Sequence, residues 1–254
     1  MLNNVKNSDN FNYKGHELFI ASMRDQFQLV HTRARPVVTS FLSLSEQDIL
    51  LKIKPKEINV VFDGGFDNAI RKVAIIQEDD YTIQSDVVCL VSEYNSHFKE
   101  LSHRDILGAL MHLGIERNQL GDFVVDQNRL YVFCKKKISE YIMDHCTLIG
   151  RCPVHFQITS HVELHALMME EIQIIVSSTR ADAIIAQLAH CSRSDAATKI
   201  KQGLIKVNDI ELEENKQLCF NDVVSIRRVG KFQFKEISNT TKKNRLICIF
   251  NKFV

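Results

Sequence analysis

Two arginines stand at the expected starts of short helices, each flanked by hydroxyls: Ser178-Thr179-Arg180 and Ser192-Arg193-Ser194. Unpaired N–H groups at a helix start, the positive end of the helix dipole and a guanidinium together suit a phosphate oxygen. Lys199 and Lys201 follow on the second helix, and Lys206 lies in the strand after it. Ala196, Ala197, Ile200 and Leu204 share one side of that helix, and the two lysines flank it from opposite directions. On its own this is an amphipathic helix with solvated charges. Two more basic groups accompany it. Arg227, Arg228 and Lys231 come from RRVGK, where Gly230 permits close backbone approach, and Lys242, Lys243 and Arg245 come from TTKKNR, which has scarcely any acid nearby. Contacts of this kind bind phosphate without reading sequence and weaken with salt. Structured RNA recognised by shape fits them better than a DNA groove, since no long recognition helix is evident.

Other chemistry finds no support. His103-Arg104-Asp105 mimics a kinase catalytic loop, but Leu110 stands where that loop has its asparagine, and no Gly-rich ATP loop accompanies it. Asp105 instead suits the first turn of a helix. Cys146, Cys152 and His155, or His161 with His165, lack the paired spacing of a structural zinc site and the H-E-x-x-H of a metalloprotease. Buried thiols and surface imidazoles are the plainer reading. No local signature supports a Cys-His nucleophile. Gly64-Gly65 follows a strand-like run without the Lys-Ser/Thr of a phosphate loop, and reads as a turn. The nine glycines form no G-x-G-x-x-G. No catalytic residue, metal site or cofactor is expected; the chain reads as a binder.

The elements that must position these residues sit in a chain of 254 residues, 45% hydrophobic and 25% charged, long enough to bury a real core. Its net charge of +1 means that RNA affinity must come from local clustering. Seven cysteines without paired spacing argue for a reducing compartment. MLNNVKNSDN lacks the apolar stretch of a signal peptide, and no apolar run approaches the ~20 residues that span a bilayer. The expectation is a cytoplasmic protein without membrane partners.

ELFIASMRDQFQLVHT predicts a helix with Leu18, Phe19, Ser22, Met23, Phe27 and Val30 near one face. SEQD predicts a second, capped at Ser45, running to about Ile53 before Pro55. Two β-rich runs around Gly64-Gly65 follow. DVVCLVSEY, HRDILGALMHLG, GDFVVD, RLYVFC, KISEYIMDHCTLI and PVHFQIT then read as β-α-β-β-α-β, the split βαβ or ferredoxin-like succession. Tyr131 and Phe133 share a face of RLYVFC, where RNA-recognition modules stack bases, but half-buried sheet residues are commoner. HVELHALMMEEIQIIVSS is a bridge to the last part. From Ser177 the pattern is α-α-β: Thr179 caps one helix, Gly203 ends the next at C′, and IKVN, IELEE, VVSIRRV, GKFQFKEI and LICIF are strands. The fold class is α+β. It divides into a helical N-terminal segment (1–56), a β-hairpin plus ferredoxin-like RNA-binding domain (57–170) and a small α-α-β RNA-binding module (177–254).

The stretch from Thr179 through Phe232 resembles the RNA-binding module named after small-subunit ribosomal protein four. The module's Arg-Leu-Asp helix start, Ser-Arg-Ser helix and Gly-x-Val-x-Val-Asn pattern map onto Arg180–Asp182, Ser192–Ser194 and Gly203–Asn208, which brings Asn208 into the candidate surface. Ala181 replaces the usual leucine, and Arg228 a glycine. HRDILGALMHLGIERNQLGDFVV, FDGGF, TSFLSLSEQDIL and TTKKNR extend the likeness to nearly the whole chain, which is similar to the bacterial YlmH family. That resemblance implies a ribosome-associated RNA-binding protein acting in quality control. Such a protein contacts ribosomal RNA of the large ribosomal subunit and tRNA while a partner factor adds an alanine tail. An RNA-modifying enzyme (pseudouridine synthase or rRNA methyltransferase class) is the alternative, because such modules are often fused to these enzymes. It would need a catalytic Asp loop or a methyl-donor Gly loop in residues 1–176, and none is found. An accessory scaffold using the middle sheet is a third reading.

Overall fold

The computed structural model describes residues 15–33, 35–78, 83–96, 100–162, 164 and 169–253. The first elements are α1 (Glu17–Arg33), β1 (Val37–Val38), α2 (Leu44–Ile53), β2 (Asn59–Asp63) and β3 (Val73–Gln77). Helix α1 turns Ile20, Met23, Phe27 and Val30 inward at helical spacing. Leu18, read as part of that stripe, is 89% exposed, one residue off its face. The cap of α2 is Ser43, not Ser45. Ser43 accepts from the Glu46 backbone N–H and its own N–H donates to the Glu46 carboxylate, a reciprocal pair that satisfies two orphan donors. Asp48, the acid of the expected box, pairs with Lys52 instead.

Strands order as β1-β3-β2, and Met23, Phe27, Val30, Leu42, Leu50, Ile58, Ala74 and Ile76 form one core beneath them. The division expected after residue 56 therefore cuts through a shared core. β2 and β3 belong with the first two helices, because Val60, Phe62, Ala74 and Ile76 pack in the same core as Met23, Phe27 and Leu50. Between them, Gly65 has φ 88° and donates its N–H to Asp63 Oδ1, while a Cβ there would lie 2.6 Å from Phe133. This is a turn pressed against the neighbouring sheet.

Next come β4 (Val87–Glu93), α3 (His103–His112), β5 (Leu120–Asp126), β6 (Arg129–Lys135), α4 (Lys136–His145), β7 (Leu148–Ile149), β8 (Cys152–Pro153) and β9 (Gln157–Thr159). Their succession is β-α-β-β-α-β with a small β7–β8 hairpin inserted before the last strand. PVHFQIT, expected as one strand, is split by that hairpin. The sheet order is β5-β6-β4-β9 with every neighbouring pair antiparallel. Asp105 caps α3 reciprocally with Ser102, as its place in the first turn suggested.

Both sheet faces are covered. Leu90, Leu130, Val132 and Cys134 pack with the helices on one face; Cys89, Val124, Tyr131 and Phe133 pack with Phe66, Val162 and Leu164 on the other. Tyr131 is 3% exposed and Phe133 fully buried, its ring 4.6 Å from that of Phe66. Neither offers a stacking platform. Both are ordinary buried sheet residues.

The last elements are β10 (Met169–Val176), α5 (Ala181–Leu188), α6 (Arg193–Lys201), β11 (Ile205–Val207), β12 (Ile210–Glu211), β13 (Val223–Ile226), β14 (Gly230–Thr240) and β15 (Leu246–Phe253). They build a six-stranded antiparallel sheet, β10-β15-β14-β13-β11-β12. Strand β10, inside the expected bridge, is registered along its whole length on β15 from Met169↔Phe253 to Val176↔Leu246. The sheet thus starts at residue 169 and not after Ser177. Its apolar face packs on α5 and α6 through Ile184, Ile185, Ile200, Phe234 and Phe250, and the last two rings stack at 4.8 Å. Burying each such side chain contributes roughly 1.5–3 kcal/mol. Gly203 sits at C′ of α6 with φ 67°; its N–H reaches Ile200 O and that of Leu204 reaches Lys199 O, the two bonds of a Schellman end.

Candidate RNA-binding surface

The arginines at the two helix starts converge on Asp182. Arg193 Nη2 lies 2.6 Å from one carboxylate oxygen and Arg180 Nε 3.2 Å from the other. Asp182 is only 7% exposed. Burial alone would raise its pKa; hydrogen bonds from Asn215, Arg193 and Arg180 overcome it and hold the carboxyl down to about 2. The arginine side chains remain about half exposed, at 51% and 53%, so each keeps an outward edge. Two cations share one anion, which leaves the cluster positive.

The helix starts themselves are already occupied. The Ala181 N–H donates to Lys216 O and that of Asp182 to Asn215 Oδ1. Arg180, not Thr179, is the N-cap residue of α5, without a side-chain cap. At α6, Ser192 Oγ accepts from the Asp195 N–H and donates to the Asp195 carboxylate, which also takes the Ser192 N–H. Ser194 Oγ lies 2.7 Å from Ser192 Oγ. The Ser192 hydroxyl chiefly holds the Asp195 carboxyl below its ordinary value, so an anion already sits at this helix start. Of the N–H groups expected to be free there, the capping box takes those of Ser192 and Asp195.

Lys201 and Lys206 are exposed and Lys199 is half-buried. Lys206 shares its rung with Glu211 and Ser225. Asn208 opens the two-residue β11–β12 turn, with φ 55° at Asn208 and 64° at Asp209, the values of a type I′ hairpin. Its side chain donates to Asp222 Oδ1 and accepts from the Val223 N–H, tying two turns together. Asn208 therefore supports the scaffold.

Arg227 and Arg228 are exposed in the β13–β14 turn, where Arg228 adopts φ 66°. Lys231 beside them pairs with Asp209 at 3.2 Å. Lys242, Lys243 and Arg245 crown the β14–β15 hairpin, closed by Thr241 N–H to Arg245 O. These groups, expected to form one rim, lie at opposite ends of β14. Its 11 residues separate them by about 30 Å. The hairpin tip lies beside the end of β10, since Val176 pairs with Leu246 and Arg245 Nη2 reaches Ile175 O. From there the chain passes directly into Arg180.

Sequence reasoning missed Asp182 as the clamp between the arginines, although Arg180-Ala181-Asp182 carried the signal. It also missed a group distant in sequence: Arg71, Arg117 and Asp122, gathered where the first two units meet. Among the described residues no three His, Cys, Asp or Glu side chains could hold a metal. Burial pushes the Cys146 thiol up to about 11, and His165 lies outside the described residues. Among them, no helix is long and apolar enough to cross a membrane.

A family model described as "Putative RNA-binding domain in YlmH" matches residues 77–163, the middle sheet and its helices. The fold and this match define a multi-unit α+β protein of the RNA-binding class. The chain is 29% identical over 250 residues, 94% of its length and 96% of the relative's, to "Ribosome-associated protein quality control protein P2" of Bacillus subtilis (strain 168). Its fold also resembles the solved structure of "Cell division protein ylmH from Streptococcus pneumoniae". The TM-score is 0.50 and the identity 23%, and the match covers 59% of this chain and 94% of that one. Along residues 77–163 the chain is similar to the YlmH family.

Proposed function

We propose that this chain is a non-enzymatic, cytoplasmic RNA-binding protein that associates with the large ribosomal subunit and takes part in quality control of stalled nascent chains. The observation that carries this reading is its end-to-end likeness to the Bacillus subtilis quality control protein, over 94% of the chain. In this reading the protein has three units: an N-terminal one, a middle one of the split βαβ type, and the C-terminal module. Ribosomal RNA and tRNA are bound chiefly by that module. Its phosphate contacts fall into two groups: Arg180, Arg193, Lys242, Lys243 and Arg245 around the hairpin tip, and Lys199, Lys201, Lys206, Arg227, Arg228 and Lys231 toward the other end. Ser192, Ser194 and Asn208 hold the backbone that presents them. Two groups about 30 Å apart suit a folded RNA touched at separate backbone segments better than one phosphate held in a pocket.

The direct experiment is sedimentation of the tagged protein through a sucrose gradient, with sequencing of RNA crosslinked in its peak. Recovery with large subunits, with crosslinks in ribosomal RNA and tRNA, is the expected outcome. A protein that stays at the top of the gradient at moderate salt contradicts the reading. An alanine-tailing factor is the partner expected in the same fractions from stalled cells.

A further inference from the structure

A cleft of about 810 Å³ opens where the three units meet. Arg71 comes to it from the N-terminal unit, Arg117, His103 and Asp122 from the middle unit, and Lys231 and Phe253 from the C-terminal sheet. The lining also carries Glu100, Asp122 and Asp209, but the two guanidiniums are not ion-paired with them. Arg71 donates from Nε to Leu120 O and from Nη2 to Phe41 O; Arg117 donates from Nη1 to Leu120 O and Gly121 O. These acceptors are all uncharged carbonyls. Asp122, 6% exposed, turns its oxygens to the Ile70 and Arg71 backbone N–H groups. Neither guanidinium forms an ion pair with a described carboxylate.

The two half-buried guanidiniums feel the Asp122 charge without pairing directly with it, which leaves their forks able to take a ligand's anion. Burial and the charge of Arg71 pull Arg117 down to about 10. Burial, then Arg117, Arg71 and Lys231, likewise hold the His103 imidazole below its ordinary value. Asp122 acts in the opposite sense on both arginines, as Glu46 and Asp209 do on Arg71. Phe123 fixes the geometry, with Arg117 5.2 Å from its ring centroid and the His103 ring at 5.0 Å. The Lys231–Asp209 pair on the opposite wall is half-exposed and weak, free to exchange for a stronger anion. Guanidinium forks match phosphate oxygens, and the volume is that of a small-molecule site, far more than one phosphate fills.

We propose that this cleft binds a phosphorylated nucleotide, its phosphate held by Arg71, Arg117 and Lys231. This deepens the RNA-binding reading, since it gives the middle unit a contact at its helix edge, its sheet faces being buried. The phosphate comes from a free mononucleotide or from an unpaired stretch of RNA.

The test titrates the full-length protein with adenosine 5′-monophosphate and, separately, with an unstructured hexaribonucleotide, with inorganic phosphate as competitor. Arg117→Gln removes charge while keeping hydrogen-bond donors, Lys231→Gln does so from the opposite wall, and Arg151→Ala is the exposed control. Saturable binding of either probe, weakened tenfold or more by Arg117→Gln and unchanged by Arg151→Ala, supports the site. Binding of the mononucleotide assigns a free ligand; binding of the hexamer alone assigns an RNA strand. If Arg117→Gln does not fold, the same loss in Lys231→Gln decides. Absence of saturable binding at millimolar probe, or equal binding by wild type and the glutamine variants, overturns the proposal. Large-subunit association is scored apart, so this outcome leaves the C-terminal reading standing, and loss of that association leaves the cleft standing.

Discussion

Asp182 sets how much positive charge the two helix-start arginines can show. It is buried, ionised and shared between them. Its folded pKa, about 2, is depressed below the unfolded value of about 3.9. The stability it contributes is therefore fully present above about pH 4 and is lost as pH falls through 2. Replacing Asp182 with Asn should cost about 2 kcal/mol at pH 7, from the same depression. Denaturant melts of the two proteins should converge as pH drops from 4 to 2; a gap that persists at pH 2 would show that the clamp is not electrostatic. Ser192 belongs to the same scale. As the N-cap of α6, its change to Ala should lower stability by about 1 kcal/mol and leave RNA affinity of the folded protein unchanged. A clear loss of affinity at equal folding would return the hydroxyl to the phosphate-binding set.

Among the elements, the β14–β15 hairpin matters most. Its tip puts Lys242, Lys243 and Arg245 together at the end of β10, beside the entry to α5. Changing all three to alanine should flatten the dependence of log affinity on log salt by about 2–3, close to one unit per lost phosphate contact. Filter binding across a salt series measures it, and an unchanged slope would remove the tip from the surface. Much of this level was legible in the sequence: α5 and α6, the Gly203 stop, both Asn-Asp turns and the basic tip follow from local propensity and spacing. What was not legible is long-range. Whether Ser43 or Ser45 caps α2 depends on which register buries Ile49 and Leu50, and both serines have an acid three residues on. Strand β10 reads as a bridge because it alternates exposed and buried residues with two glutamates, a pattern that only pairing with β15 explains. The Arg71–Arg117–Asp122 group joins residues about fifty apart in sequence, and no local period reveals it.

At the scale of the whole molecule, the first two units are welded. Buried Lys135 reaches Thr39 O, Asp122 takes the Ile70 and Arg71 N–H groups, and Phe66 packs on Phe133. A fragment starting at residue 57 loses α1 and α2 and with them half of a core. It should melt at lower temperature than the same fragment extended back to residue 15, whereas residues 169–254, with a core of their own, should melt cooperatively alone; circular dichroism melts decide both. Basic groups at both ends of the C-terminal sheet can brace against a large folded RNA. The central claim is that these groups carry large-subunit association, and its most direct test is co-sedimentation of purified large subunits with wild type and with the Lys242, Lys243, Arg245, Arg227 and Arg228 alanine variant. Wild type should pellet with the subunits at moderate salt, and the folded variant should remain in the supernatant. Equal pelleting of the two would contradict the claim.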